Sequence, residues 1–183
     1  MDFRISINTG FTLVELVSTL TIASILLLAA APGLQSFIER NRITASVNVF
    51  VSHLQLARSE ALKRNRFIVL CPSRDGTSCI SDYTQWAKGY IVFVDIDRNK
   101  LRENSEPLLK YYQGENDKVV IYTSSNYRRV VAYYPSGMAW GLNTTIRFCA
   151  RTSDANNRAV IISNTGRPRL SKVMADGREI VCT

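Results

Sequence analysis

The feature that most limits what this chain can become is an uncharged run near its start. Leu16 to Ile38 is 23 residues without a charge, long enough to cross a hydrocarbon core as a helix. A secretory signal has a shorter apolar region, a basic leading segment and a small-residue cleavage site. Here Pro32 directly follows Ala29-Ala30-Ala31, and the residues ahead of the run include Asp2 and Glu15. A generic membrane anchor fits the length but leaves Glu15 unexplained. A carboxylate moved towards a bilayer centre costs about 3 kcal/mol, so one at the edge of such a run needs a partner.

Past Ser36 the helical pattern continues and becomes amphipathic. Ile43, Val47, Phe50, Leu54, Ala57 and Ala61 recur at steps of four and three residues, which makes one apolar stripe. Lys63-Arg64 suits the negative end of the dipole and predicts a helix end near Asn65. From Phe11 to Arg64 such a helix is roughly 80 Å long. A globular domain covers only its second half, and the first half is left for membrane or filament packing. From Phe67 onward the pattern changes to short β runs at 67–71, 90–95, 108–112, 119–123, 130–134, 145–149 and 159–163. Turn residues separate them, among them Asp75-Gly76, Pro135-Ser136-Gly137 and Thr165-Gly166. The expected fold is α+β, a long helix packed against antiparallel sheet.

The N-terminus resembles the type IV prepilin family. The motif is a short polar leader ending in glycine, then FTLVE, then about twenty apolar residues. Here the leader is MDFRISINTG, and FTLVE runs from Phe11 to Glu15. The resemblance implies cleavage after Gly10 by a prepilin peptidase, and methylation of Phe11 as the new N-terminus. It gives Glu15 a role in assembly, pairing with the Phe11 amine of a neighbouring subunit so that neither charge stays alone in an apolar setting. It implies three segments: a leader over 1–10, an apolar helix half over 11–35 and a pilin-like globular domain over 36–183. The bacterial inner membrane is the expected location before assembly into a pilus at the cell surface. SEALKRNRFIVLCPS, WAKGYIVFVD and TGRPR resemble, more narrowly, the GspH/FimT group of minor pilins and pseudopilins.

Outside residues 1–35 the chain carries 22 basic and 13 acidic residues, a net +9. This balance fits a polyanionic partner or a solvated surface. Between Arg128 and Thr183 there are nine basic residues against three acidic ones. Four cysteines allow three pairings. Cys71 and Cys79 enclose the turn-rich PSRDGTS, which favours a local bridge and leaves Cys149 for Cys182, pinning the C-terminal end. A zinc site would want two-residue spacings, and the sequence has none.

The TGRPR stretch is the main candidate site. Gly166 permits a positive φ, and Pro168 biases Arg167 towards extended backbone. Arg167 and Arg169 would then project together, roughly 6.6 Å apart, a spacing suited to two phosphates. Read alone, the stretch is more readily a solvated hairpin tip with two harmless arginines. The resemblance adds that DNA-binding members of the group carry a G-R-x-R motif here, matched by Gly166, Arg167 and Arg169. Lys172 and then Arg178 follow as supporting candidates, with Arg128-Arg129 weaker. No recognition helix is apparent in the soluble part, so backbone contacts with little sequence preference are expected. The function implied is DNA binding that assists uptake in natural transformation. The alternative is a structural pseudopilin priming pilus assembly or type II secretion.

Other residues read as structural. Asp95, Asp97 and Glu106 have the spacing of part of a calcium loop, but Lys100 replaces the turn glycine, and a hairpin turn is expected instead. His53 stands beside the apolar stripe without ligand-spaced neighbours. Trp86 and Trp140 are expected in core or loop anchoring rather than on bases. No nucleophile–base pair or phosphate-cradling glycine loop is visible, so neither an enzyme nor a cofactor is expected.

Overall fold

The structure is a computed structural model. It describes residues 10–82, 84–114, 119–123, 130–139, 143–150 and 157–182, without the side chains of 29–32. Residues 1–9 of the expected leader, Arg128, Arg129 and Trp140 lie outside the described residues. The chain divides into two compact units, 1–38 and 39–183.

Helix α1 runs from Leu13 to Arg64. Thr12 starts it: its hydroxyl accepts the Glu15 N–H at 3.2 Å, and its carbonyl accepts the Leu16 N–H at 3.1 Å. Thr12 therefore satisfies a donor that the first helical turn would leave open. At the other end Asn65 takes φ 53°, and the Arg66 N–H reaches back to the Ala61 carbonyl, the six-to-one bond of a Schellman stop. Arg64 also pairs with Glu60 one turn earlier. Within the first unit, large apolar side chains from Phe11 to Ile38 are exposed. Among the described residues no single helix is long and apolar enough to cross a membrane. Leu13–Leu28 and Gly33–Arg64, bent at a break over 29–32, meet that test together. Pro32 lies in that break and lacks the N–H that an unbroken helix would use there.

In the second unit, the stripe from Ile43 to Ala61 is buried to 3% exposure or less. Two four-stranded antiparallel sheets complete its core. The first contains β1 (Phe67–Pro72), β2 (Gly89–Asp95), β3 (Leu108–Gln113) and β5 (Val131–Tyr133), in the order β3-β2-β1-β5. The second contains β4 (Val120–Thr123), β6 (Thr144–Cys149), β7 (Arg158–Ile162) and β8 (Pro168–Ser171), in the order β4-β6-β7-β8. Phe50 of α1 joins the two. Its ring meets Tyr90 of β2 at 5.2 Å and Phe148 of β6 at 5.5 Å, both edge to face, a favoured aromatic geometry. Trp86, on a 3-10 turn over Gln85–Lys88, is fully buried against the same ring. It is a core residue, as its sequence context predicts.

His53 is half-buried and shares a 2.8 Å hydrogen bond with the Tyr90 hydroxyl. Burial, and then the charge of Lys110, lower its pKa below the ordinary value. The loop after β2 is a hairpin turn fastened by its own acids. Asp95 accepts the N–H groups of Arg98 and Lys100. Glu106 accepts those of Ile96 and Glu103. Asp95, Asp97 and Glu106 converge, but the two buried carboxylates are occupied in holding the turn.

Candidate nucleic-acid interface

The candidate interface is built on the hairpin between β7 and β8. Ser163 to Gly166 form its turn, closed by the Gly166 N–H on the Ser163 carbonyl at 2.9 Å. Gly166 takes φ +76°, and a Cβ there would lie 2.2 Å from the Gly137 carbonyl oxygen. Both the conformation and the close approach demand glycine. That carbonyl also accepts Arg58 Nε of α1 at 3.0 Å. Asn164 braces the turn further, accepting the Ala139 N–H on its carbonyl and donating its own N–H to Asn143 Oδ1. The turn is thus seated on Gly137, which Arg58 of the helix also holds, and on Ala139 and Asn143 before any arginine emerges.

Beyond Gly166 the structure adds a strand to the seven expected from sequence. Pro168–Ser171 is an edge strand, paired with β7 from Ile162↔Pro168 to Ala159↔Ser171. Arg167 is exposed at the end of the turn and Arg169 is exposed on the strand. Leu170 pairs with Val160, a core residue, so Leu170 lies on the core side of the sheet and Arg169 on the opposite side. The strand was hard to read because Pro168 and the charged residues suppress β propensity, yet both are usual on edges. The period-two alternation of Arg169, Leu170 and Ser171 was the available signal.

Arg167, Arg169 and Lys172 are exposed and form no ion pair among the described residues. Arg178 differs: its guanidinium holds Asp176 at 2.5 Å, which keeps the Asp176 carboxyl below its usual range. The segment carrying Lys172 and Arg178 is fixed at several points. Val173 bridges Glu179, Arg147 donates to the Val181 carbonyl at 2.6 Å, and Asn157 donates to the Ile180 carbonyl at 3.2 Å. Disulfides join Cys149 to Cys182 and Cys71 to Cys79. These are the pairings favoured by the spacing, and the other two possibilities are excluded. At the other end of the chain, Gly10, Phe11 and Glu15 are exposed at the start of α1.

Comparison with known proteins agrees with this architecture. Residues 46–166 match the family described as type II transport protein GspH. Residues 6–31 match the prokaryotic N-terminal methylation motif. The pilin-like protein PilA1 of Thermus thermophilus is 29% identical over 174 residues, covering 88% of this chain and 97% of that protein. The minor pilin FimU of Pseudomonas aeruginosa has the same fold. One crystal form superposes with a TM-score of 0.57 at 21% identity, over 74% of this chain and 92% of FimU. A second form gives 0.54 at 19% identity, over 70% and 91%. The methylation motif and the GspH family place other pilin subunits and the prepilin peptidase among its partners. They give it a membrane-anchored N-terminal helix followed by a soluble domain that assembles into a pilus. The chain belongs to the GspH family and is a minor type IV pilin or pseudopilin, a structural subunit rather than an enzyme.

Proposed function

We propose that this minor pilin binds DNA with little sequence preference and assists its uptake in natural transformation. The observation that carries the reading is that Arg167, Arg169 and Lys172 are exposed together around one edge strand without carboxylate partners among the described residues. Such cations bind phosphate at the expense of counterions, and the guanidinium forks give it a fixed geometry. Gly166 supports them by seating the turn. Arg178 ranks behind, because it must release Asp176 first. The reading includes cleavage after Gly10, methylation of Phe11, residence in the inner membrane before assembly, and Glu15 pairing with a neighbour's new N-terminal amine.

The test is DNA binding by the full chain in detergent micelles, titrated with duplex at several salt concentrations. Affinity is expected to fall linearly on logarithmic axes, and Arg167→Gln/Arg169→Gln is expected to flatten the slope by roughly 0.9 per lost phosphate contact. An unchanged slope in that variant would show that the arginines do not touch DNA. A second reading is a structural pseudopilin that primes pilus assembly or type II secretion. It is favoured by the GspH match, which ends at residue 166 and so leaves the arginines outside the shared segment. Cells carrying the double variant separate the two. The transformation reading requires lost DNA uptake with piliation intact, and the assembly reading requires both to persist.

A further inference from the structure

A groove of about 280 Å³ lies between α1 and the β8 edge, lined by Thr44, Val47, Asn48, Arg158, Leu170, Ser171 and Lys172. Among the described residues no carboxylate lines it, and two cations do. Its apolar walls are Val47, at 3% exposure, and Leu170, at 56%. Leu170 is paired with the fully buried Val160 yet stands open to solvent, an apolar side chain on the core side of the sheet with only part of its cover. Arg158 pairs with the core residue Phe148, so it and Leu170 lie on the same side of the sheet. Arg169 stands on the other side.

The edge is poorly suited to another strand. Pro168 offers no N–H, and Arg167, Arg169 and Lys172 crowd the approach, the devices by which sheets refuse strand addition. The same charges attract a polyanion. The groove therefore combines two cations with an apolar surface that an unstacked base can cover; that surface is aliphatic, where single-strand grooves more often use aromatic rings. In a duplex the base faces are stacked inside, and a protein meets only the backbone and the base edges. An apolar slot gains little from those, but it gains from the face of an unstacked base.

Resting on the DNA reading above, we propose that this groove takes one unpaired nucleotide of the bound DNA. The nucleotide's phosphate lies by Arg158 and Lys172, and its base lies on the exposed Leu170, beside Val47. Asn48, Thr44 and Ser171 supply polar groups to the base edge without fixing its identity. Arg167 and Arg169 hold neighbouring phosphates, so the strand passes over β8. The preferred ligand is then a single strand or a frayed end rather than a closed duplex.

The experiment uses the full chain in detergent micelles and two labelled DNAs of one sequence. One is a single strand, and the other is a duplex with both ends closed by hairpins. The parent is expected to bind the single strand more tightly. Leu170→Asn, a neutral change of similar size at an exposed position, should lower single-strand affinity about fivefold and change duplex affinity less than twofold. Arg158→Gln should do the same more weakly, and Arg158→Lys should restore binding. Equal parent affinities for the two DNAs, or an equal loss on both with Leu170→Asn, would overturn the groove assignment. The assignment also fails if Leu170→Asn leaves the preference intact, and release of a co-purifying pilin subunit would then make the groove a protein contact. Retained binding in Arg167→Gln/Arg169→Gln marks failure of the underlying DNA reading instead.

Discussion

At the scale of single residues, Gly166 shows why an interface can depend on a residue that touches no ligand. Any side chain there must adopt φ +76° and displace the Gly137 carbonyl, which Arg58 also uses. Gly166→Ala is expected to cost about 1–3 kcal/mol and to weaken DNA binding, read by thermal melts alongside the titration. His53 gives a pH prediction. Its pKa is lowered in the folded state, so as pH falls below 6.5 the unfolded chain takes up the proton first. Stability is therefore complete above that value and declines as pH falls towards the lowered folded pKa. Replacing His53 with Gln should flatten this decline in melting temperature between neutral and mildly acid pH. The pattern would be wrong if the decline were unchanged.

At the scale of elements, the C-terminal segment is a short strap held by backbone bonds from side chains and by one disulfide. Arg147 and Asn157 fasten its carbonyls, and Cys182 ties it to β6. Cys182→Ala with Cys149→Ala is expected to destabilise the soluble domain by about 2–4 kcal/mol. It should also weaken DNA binding, because Lys172 lies between the disulfide and β8. Denaturant titration with and without reductant checks the first part. The helix and its stripe were legible because a period of 3.6 persists from Ile43 to Ala61. Seven of the strands were legible as apolar, β-branched runs. β8 was not, since its four residues include a proline and an arginine, and a partner strand rather than propensity holds it.

At the scale of the whole molecule, an exposed apolar helix half precedes a domain with its own core. Phe50 sits where α1 and both sheets meet. Phe50→Ala is expected to cost about 3–5 kcal/mol and to loosen the sheets from the helix, detected as a lower midpoint in denaturant. The apolar half has no cover of its own, and a surface of that kind needs membrane or protein around it. Glu15→Ala is therefore expected to leave the soluble domain's melting unchanged while lowering incorporation into pili, measured by immunoblot of sheared filaments.

The prepilin-like start, the long amphipathic helix, the β-rich remainder and the favoured cysteine pairing are all written in local patterns along the chain. Each depends on neighbours along the chain: an uncharged run, a period, or a short loop between two thiols. It takes the folded chain to show that Arg169 stands on an edge strand, that Arg178 is held by Asp176, and that Arg158 and Leu170 share a groove with Val47. Those facts follow from which strands pair and which face each residue takes. Register is set by the burial of a whole sheet, and no local pattern of residues contains it.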